Sequence, residues 1–245
     1  MKQLLYILFL FIVGCSGNYN KDIWLKDLET NLEDYDEFLI NRDFGFHRIK
    51  GIDELDSSFG IISLHGFYHE GWSGKGYEWV GPLYNLSKRQ VPIWTYRYDW
   101  KECPENSVDS LYKHVDQLIK ENDYLDSLWI IGHSFGGLIS SLFSEKWDKD
   151  FSIKVHSIAA PLQKLSRTML GCDTLERIQY NIREEVNYFQ WRTEHSQDGF
   201  FKNLDYDPQE IKIINGKTVL LPKKWNGGSL GHNRSILFVS DILSN

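Results

Sequence analysis

The sequence predicts an α/β fold in which helices flank both faces of one mostly parallel central sheet. From about residue 59, short and nearly continuous apolar runs typical of buried strands alternate with segments whose apolar residues recur at helical spacing. The composition, 42% hydrophobic and 25% charged in 245 residues, is that of an ordinary globular domain and argues against disorder. No internal repeat or Pro/Gly-rich linker divides the chain, so the sequence predicts a single folded domain.

The individual elements follow from local patterns in chain order. Residues 22–40 carry apolar side chains at helical spacing with acidic residues between them, which predicts a helix that covers one edge of the domain or binds a partner. Residues 211–214 and 217–221 predict a hairpin or a final strand. The other predicted strands are residues 59–64, 91–98, 128–131, 153–160 and 186–192. The other predicted helices are residues 77–88, a segment capped by Ser107, residues 136–147 and residues 234–243.

The first residues predict a targeting segment. Residues 4–13 form an uninterrupted run of ten apolar residues. This length fits the roughly 7–15 residues of a signal peptide and falls short of the ~18 that span a membrane. The boundary at Gly14-Cys15 resembles the bacterial lipobox, in which a small residue precedes a cysteine that is diacylated before cleavage. The resemblance implies a lipoprotein whose mature chain begins at the lipidated Cys15.

The same resemblance implies where the protein resides. A signal peptide at 1–14 would be followed by the lipidated cysteine with a polar tether at 15–21, and then by the folded domain at 22–245. The acyl chains would anchor the protein to a membrane of the cell envelope. Ser16 is typical of outer-membrane sorting if the cell is Gram-negative. An ordinary secretory signal with a chance cysteine is the alternative.

Charge and cysteine content restrict the partners. The sequence has 27 Lys and Arg against 34 Asp and Glu, a formal net charge of −7. Nucleic acids are bound by basic patches that neutralise phosphates, so this composition argues against a nucleic-acid partner. Beyond Cys15, only Cys103 and Cys172 remain. They could pair in an oxidising compartment, but two such cysteines are more often unpaired core or surface residues.

Residues 132–136 carry the motif Gly-x-Ser-x-Gly directly after a predicted strand and at the start of a predicted helix. This context is typical of a nucleophile elbow, a tight turn that projects the hydroxyl of Ser134 above the sheet. Side chains at Gly132 and Gly136 would collide with the strand and the helix. The helix N-terminus offers backbone N–H groups and a positive dipole to a developing oxyanion. A helix-capping serine in a glycine-rich turn is the alternative.

From residue 59 to its end, the sequence resembles the α/β-hydrolase family in its serine esterase and lipase branch. The resemblance implies an α/β-hydrolase fold with a small cap. Residues 65–67 match the family's oxyanion turn, which assigns one oxyanion N–H to Phe67 and the other to Phe135, directly after the nucleophile.

A metal site near the same turn is the competing interpretation of its histidine. His65 and His69, with Glu70, could bind one ion if they shared a helix face. Gly66 and the position at a strand end argue against a helix there, and no distant Cys/His cluster completes a ligand set. The sequence therefore predicts neither a metal nor another cofactor.

The resemblance places the catalytic histidine in a glycine-rich loop before the last helix, which matches His232. His232 would accept the proton of Ser134 and return it to the leaving alkoxide. The family's chain order is serine, acid, histidine, with the acid after the next-to-last strand. Asp198, after the predicted strand 186–192, is our choice for the acid that orients His232. The rivals are Asp205, Asp207 and Glu194.

Four aromatic residues after the oxyanion turn predict a substrate cleft, because loops at the carboxyl ends of parallel strands form the cleft in such sheets. Each ring could equally pack the first helix onto the sheet. The four residues are Tyr68, Trp72, Tyr77 and Trp79. The segment 162–185, where the family inserts a lid, is short and charged, which favours an esterase of small or medium acyl chains over a lipase.

Together these features predict a membrane-anchored serine hydrolase that cleaves small-molecule or lipid esters through an acyl-enzyme. Thioesterases, peptidases and transacylases use the same constellation and stay open. The non-enzymatic alternative is a surface lipoprotein that keeps the fold and only holds a ligand in an aromatic cleft.

Overall fold

The centre of the molecule is a mostly parallel β-sheet. The structure, a computed structural model, describes residues 22–30, 37–67, 78–166 and 171–245. In chain order the strands are β1 (Ile23–Trp24), β2 (Gly45–Lys50), β3 (Phe59–Leu64), β4 (Ile93–Arg97), β5 (Ser127–His133), β6 (Ser152–Ile158), β7 (Lys164–Leu165), β8 (Leu175–Glu176), β9 (Gln179–Asn181), β10 (Val186–Arg192), β11 (Lys212–Ile214), β12 (Gly216–Leu220), β13 (Lys224–Trp225) and β14 (Gly228–Ser229).

Eight of these strands form the central sheet in the order β1-β2-β4-β3-β5-β6-β10-β12. Neighbouring strands in it are parallel except β2 and β4, which are antiparallel. Helices flank the sheet: α1 (Leu25–Thr30), α2 (Glu37–Ile40), α3 (Val80–Ser87), α4 (Pro104–Glu121), α5 (Phe135–Lys146) and α6 (His232–Ser244). The predicted class, an α/β fold with a mostly parallel sheet between helices, is confirmed.

Both faces of the central strands are buried, because successive side chains point to opposite sides of a strand. On β3, Ile61 packs in the cluster that contains α3 and α6, whereas Ile62 packs in the cluster that contains α4 and α5. On β5, Ile130 and Ile131 divide between the two clusters in the same way. This double burial explains why the strands read as nearly continuous apolar runs.

The region before β3 differs from its prediction. The sequence predicts one helix over 22–40, but Ile23 and Trp24 form β1, which pairs in parallel with β2. In the described part of that range, only the short helices α1 and α2 follow. Strand β2 was not predicted either, because its residues (Gly-Phe-His-Arg-Ile-Lys) mix polar and apolar side chains and contain no apolar run.

Helix α4 begins earlier than predicted. Cys103 is its N-cap and Pro104 its first residue, a position that suits proline because no N–H is needed there. Ser107, the predicted cap, is buried within the helix.

The predicted hairpin at 211–221 is wrong, and its alternative, a final strand, is right. β11 pairs with β9 in a small separate sheet, while β12 pairs in parallel with β10 and completes the central sheet. Asn215 lies between them with a φ of 59°, a left-handed conformation that asparagine tolerates better than most residues.

Cys103 and Cys172 form a disulfide bond, with their Cα atoms 5.5 Å apart. The expectation of two unpaired thiols is therefore wrong. The bond joins the start of α4 to the segment before β8, which is 69 residues further along the chain. No helix within the described ranges is long and apolar enough to cross a membrane.

Candidate active site

Ser134 lies in a sharp turn between the end of β5 and the start of α5. Its φ of 53° and ψ of −117° are a strained conformation for a residue with a side chain. Two backbone hydrogen bonds hold the turn: the Ser134 N–H donates to the carbonyl of Ile158 at 2.8 Å, and the Leu138 N–H donates to the carbonyl of Ser134 at 3.1 Å. The strain is thus fixed by the neighbouring strand and by the helix itself.

The two motif glycines make this turn possible. A Cβ on Gly132 would lie 2.3 Å from the carbonyl oxygen of Gly136, and a Cβ on Gly136 would lie 2.4 Å from the carbonyl oxygen of His65. Both obstacles are backbone atoms, which cannot swing aside as a side chain can. The local sequence therefore determines the elbow through excluded volume.

His232 links the serine to the acid. Its Nε2 lies 2.9 Å from Oγ of Ser134, and its Nδ1 lies 3.0 Å from Oδ2 of Asp198. Gly231 is the N-cap of α6 and His232 its first residue, so the ring is positioned by a helix that packs on the sheet. The hydroxyl of Ser134, the imidazole of His232 and the carboxylate of Asp198 thus form a continuous series of hydrogen-bond contacts. In the sequence, His232 lies 98 residues from Ser134 and 34 residues from Asp198.

Asp198 is fully buried and its carboxylate has several donors. Oδ2 accepts a hydrogen bond from the hydroxyl of Thr193 at 2.6 Å, and Oδ1 accepts the backbone N–H groups of Phe200 and Phe201 at 2.9 and 3.1 Å. Burial by itself would raise the pKa of Asp198, but the contact with His232 and these hydrogen bonds outweigh it and lower the pKa. The carboxylate is ionised and can hold the Nδ1–H tautomer of His232.

The rival acids lie elsewhere. Asp205 is exposed, Asp207 forms an ion pair with Arg192 at 2.8 Å, and Glu194 approaches Lys223 at 3.4 Å. Of the four candidates, the structure brings Asp198 to His232.

A cavity of about 760 Å³ opens beside Ser134. Its lining is largely apolar and aromatic, with Lys164 and Ser166 as polar members. The apolar members include Phe67, Trp100, Phe135, Leu165, Phe200 and Leu204. Such a pocket suits an apolar group next to the reactive hydroxyl.

No protein-family model matches the sequence, and no curated protein matches it. Solved structures do match. Poly(aspartic acid) hydrolase-1 from Sphingomonas sp. KT-1 is 14% identical over 81% of this chain and 92% of its own, with a TM-score of 0.51. Est1E from Butyrivibrio proteoclasticus is 13% identical over 81% of this chain and 90% of its own, with a TM-score of 0.50.

A third match, the α/β serine hydrolase XC6422 from Xanthomonas campestris, is 14% identical over 81% of this chain and 85% of its own, with a TM-score of 0.48. The chain has the α/β-hydrolase fold. At these sequence identities the similarity shows the fold alone. The chemistry of the site depends on the residues that this chain itself carries.

The predicted oxyanion turn packs directly against Ser134. A Cβ on Gly66 would lie 3.0 Å from Cβ of Ser134, which is tighter than an ordinary contact, so glycine suits this close approach. Phe67 and Phe135, the predicted oxyanion donors, both line the cavity beside Ser134.

The predicted cleft aromatics have a mixed outcome. Trp79 is a correction: it is fully buried in the core beneath α3, where its ring lies 5.2 Å from that of His65, and it does not line the cavity. It is buried because it directly precedes α3, whose apolar face packs on the sheet. Tyr68, Trp72 and Tyr77 lie outside the described residues, as does Cys15.

His65 is a buried structural residue. Its Nδ1–H donates to the carbonyl of Gly66 at 2.7 Å, and burial together with the charge of Arg97 lowers its pKa to about 3. His69 and Glu70, its proposed companions in a metal site, are not among the described residues. In the described part of the chain, no group of three His, Cys, Asp or Glu side chains could hold a metal ion.

The residues that surround His232 and Asp198 were not predicted from the sequence. The rings of Phe200 and Phe201 both lie 4.9 Å from the ring of His232, the first stacked and the second edge-on. Gln209 is buried and its side-chain oxygen accepts the N–H of Thr193 at 3.0 Å, which fixes the residue that donates to Asp198. The available signal for these residues was the pair of phenylalanines, Phe200 and Phe201, that follows Asp198 closely in the sequence.

Proposed function

We propose that the protein is a serine hydrolase that cleaves carboxylic esters through an acyl-enzyme. One observation carries the proposal: the hydroxyl of Ser134 lies in a strained elbow, beside a cavity, within hydrogen-bond distance of His232, which in turn contacts the buried Asp198. A serine and a histidine that were only structural would not need this strain or this opening to solvent.

The chemistry follows from the acceptor and donor roles. His232 Nε2 takes the proton of Ser134 as Oγ attacks the ester carbonyl carbon, and the same proton then goes to the leaving alkoxide. The resulting acyl-enzyme is hydrolysed when His232 activates a water in the same way. Asp198 keeps Nδ1 protonated and stabilises the imidazolium. The N–H groups of Phe67 and Phe135 are proposed to bind the oxyanion.

The cavity favours an ester with an apolar acyl or alcohol group. Its lining offers aromatic and aliphatic surface, with the single cation Lys164 among its described lining residues. One structural neighbour is named for hydrolysis of poly(aspartic acid). A polyanion of that kind would need several cations along its path, so the lining here supports a neutral ester instead. Thioesters, amides and transfer to another alcohol remain chemically accessible to the same three residues.

Labelling with a fluorophosphonate tests the nucleophile. Wild-type protein is expected to be modified at Ser134, and Ser134→Ala is expected to be inert. The matched control is Ser166→Ala, since Ser166 also lines the cavity but contacts neither His232 nor Asp198 in the hydrogen bonds described above. A wild-type protein that is not labelled, or a Ser134→Ala variant that is labelled equally well, would refute the proposal.

A panel of aryl esters of increasing acyl length tests the substrate class. Because the cavity is apolar, we expect kcat/KM to rise from acetyl to medium acyl chains, with every activity abolished in Ser134→Ala. Matched thioester and amide substrates separate the esterase from a thioesterase or a peptidase. Stoichiometric binding of an ester without turnover would instead favour the non-catalytic ligand-binding alternative.

We also propose that the protein is a lipoprotein of the cell envelope, anchored to a membrane through Cys15. The lipobox-like sequence motivates this, and the disulfide between Cys103 and Cys172 supports an oxidising compartment. In bacteria that express the full chain, palmitate is expected to be incorporated into the wild-type protein but not into Cys15→Ser. Equal labelling of both would refute the anchor and leave the hydrolase proposal untouched.

A further inference from the structure

A second buried pair of histidine and carboxylate lies directly beside the first. His133 precedes Ser134 at the end of β5 and is almost completely buried. Its Nδ1 lies 3.2 Å from Oε1 of Glu78, whose side chain is only 10% exposed. The contact lacks hydrogen-bond geometry, and it is an ion pair when His133 is protonated and Glu78 is ionised. His133 occupies the variable position of the Gly-x-Ser-x-Gly motif, where any residue would satisfy the motif.

The other nitrogen of His133 points to the catalytic histidine's backbone. Nε2 of His133 lies 3.0 Å from the carbonyl oxygen of His232, and the two rings lie 5.0 Å apart. The Ser235 hydroxyl donates to the same carbonyl at 2.6 Å. One residue therefore contacts the general base through its side chain and adjoins the nucleophile through its peptide bond.

The groups that face His133 determine which of its ring nitrogens carry a hydrogen. A carbonyl oxygen can only accept, so Nε2 of His133 carries a hydrogen. The negative charge of an ionised Glu78, 3.2 Å away, favours a proton on Nδ1 as well. Glu78 and His133 therefore share one dissociable proton and are together neutral. A neutral pair does not oppose the positive charge that His232 gains during turnover.

We infer that Glu78 and His133 are positioning residues that hold His232 against Ser134. The inference rests on the proposed function. His133 fixes the backbone of His232 through its Nε2–H, and Glu78 fixes the orientation and charge of His133. Glu78 also lies against the oxyanion turn, since its Oε1 is 3.5 Å from the position of a Cβ on Gly66. A lone negative charge at that place would repel the oxyanion, whereas the protonated pair does not.

The surrounding charges favour the ion pair at neutral pH. Burial by itself lowers the pKa of His133, but Glu78, the carbonyl of His232 and Asp198 outweigh it and raise the pKa. Burial raises the pKa of Glu78, but His133, His232 and His65 together lower it. Among the described residues, Arg97 adds a positive charge near this group, with its guanidinium 3.2 Å from the ring of His65. Because the pKa of His133 is raised, the pair keeps its proton to a higher pH than a free histidine would, and loses it as the pH rises further.

The rate of fluorophosphonate labelling tests the positioning role without any assumption about the ester. His133→Leu removes the donor, and a misplaced base is expected to slow the labelling of Ser134 by about 100-fold. His133→Gln supplies an amide N–H in its place and is expected to recover most of that loss. His156→Gln is the matched control, because His156 is equally buried but lies on β6 beside Trp191. Labelling of His133→Leu at the wild-type rate would overturn the inference and leave the proposed function intact.

Glu78→Gln keeps the shape of the side chain and removes its charge, so it serves if His133→Leu does not fold. Wild-type kcat is expected to fall at alkaline pH, where the pair loses its proton and leaves Glu78 negative beside the oxyanion turn. Glu78→Gln is expected to lack this alkaline fall, an effect that a purely structural role would not produce. Identical pH profiles of kcat in the two proteins would overturn the inference.

Nitrogen-15 NMR of the histidine rings gives a readout that needs no activity. In the Ser134→Ala protein at pH 7, His133 is expected to be protonated on both ring nitrogens. In the double variant Ser134→Ala/Glu78→Gln, His133 is expected to be protonated on one ring nitrogen. If wild-type protein is not labelled at Ser134, the proposed function fails, and this spectrum alone then decides whether the charged pair exists. A singly protonated His133 beside an ionised Glu78 would overturn it.

Discussion

The two walls of the cavity are built in different ways. The elbow wall comprises residues 64–67 and 132–137, at the carboxyl ends of β3 and β5. The outer wall comprises residues 161–166 and 200–208, which lie outside the central sheet; their strand β7 belongs to a separate two-stranded sheet. In the elbow wall, backbone atoms occupy the space where side chains would be, whereas the outer wall presents side chains such as Phe200 and Leu204, which are 49% and 41% exposed.

Because of this difference, we expect the elbow wall to determine whether the site is active and the outer wall to determine which substrates it accepts. The elbow wall belongs to two neighbouring parallel strands, so its geometry is supported by the whole sheet. The outer wall is held by the short pairing of β7 with β8, by the disulfide at Cys172 and by the hydrogen bonds of Asp198. Substitutions in the first wall should disable the site, and substitutions in the second should change what the site accepts.

The largest effect is expected at Asp198, which contacts His232 on one side and the backbone of the outer wall on the other. Asp198→Asn removes the charge that orients His232, and it weakens the acceptor of the N–H groups of Phe200 and Phe201. We expect kcat to fall about 10⁴-fold. Steady-state kinetics measure this, with Asp205→Asn as the control, since Asp205 is an exposed acid of the outer wall. A fall of less than tenfold in Asp198→Asn would identify another acid.

Gly136→Ala should break the elbow wall alone. The added Cβ would lie 2.4 Å from the carbonyl oxygen of His65 and 2.5 Å from that of Leu64. Because both contacts are with backbone, we expect a loss of about 4 kcal/mol or more in the free energy of unfolding, together with loss of Ser134 labelling.

Gly199→Ala is the matched control at the outer wall. A Cβ there meets nothing within 4 Å, so its stability should change little. Urea unfolding of the two variants makes the comparison, and equal stabilities would contradict the steric account of the elbow.

Removal of the disulfide should loosen the outer wall and spare the elbow. The bond closes a separation of 69 residues, for which chain entropy predicts a loss of about 4 kcal/mol, or roughly 10 °C in Tm. In Cys103→Ser/Cys172→Ser, Ser134 should still be labelled at low temperature, because neither cysteine contacts Ser134, His232 or Asp198 in the hydrogen bonds of the site. Thermal unfolding with and without reductant measures the effect, and an unchanged Tm would show that the bond does not stabilise the fold.

The smallest effect is expected from truncation of one outer-wall side chain. Leu204→Ala removes apolar surface at the mouth of the cavity, and kcat/KM for medium acyl esters should fall about fivefold, since the side chain is only partly buried. Acetyl esters should be hydrolysed at the wild-type rate. Ile178→Ala, at an exposed residue away from the cavity lining, is the control. An equal loss with acetyl esters would place Leu204 in a general structural role.

The local sequence was sufficient for the middle strands of the central sheet and for the elbow. The apolar runs of β3 and β5 are nearly continuous because both faces of these strands are buried, and residues 132–136 carry their own steric reason for a sharp turn. His232 could be predicted for a similar reason, since a glycine-rich loop before a terminal helix is a local sequence pattern.

Contacts between distant residues decided the rest. Four acids were candidates for the triad, and only the path of the chain brings Asp198 to a histidine 34 residues away. The pairing of Cys103 with Cys172, the burial of Trp79 and the approach of Glu78 to His133 likewise depend on which elements pack together. A strand or a tight turn is determined by neighbours in sequence, whereas an ion pair, a disulfide or a cavity wall exists only after loop closure has brought remote side chains together.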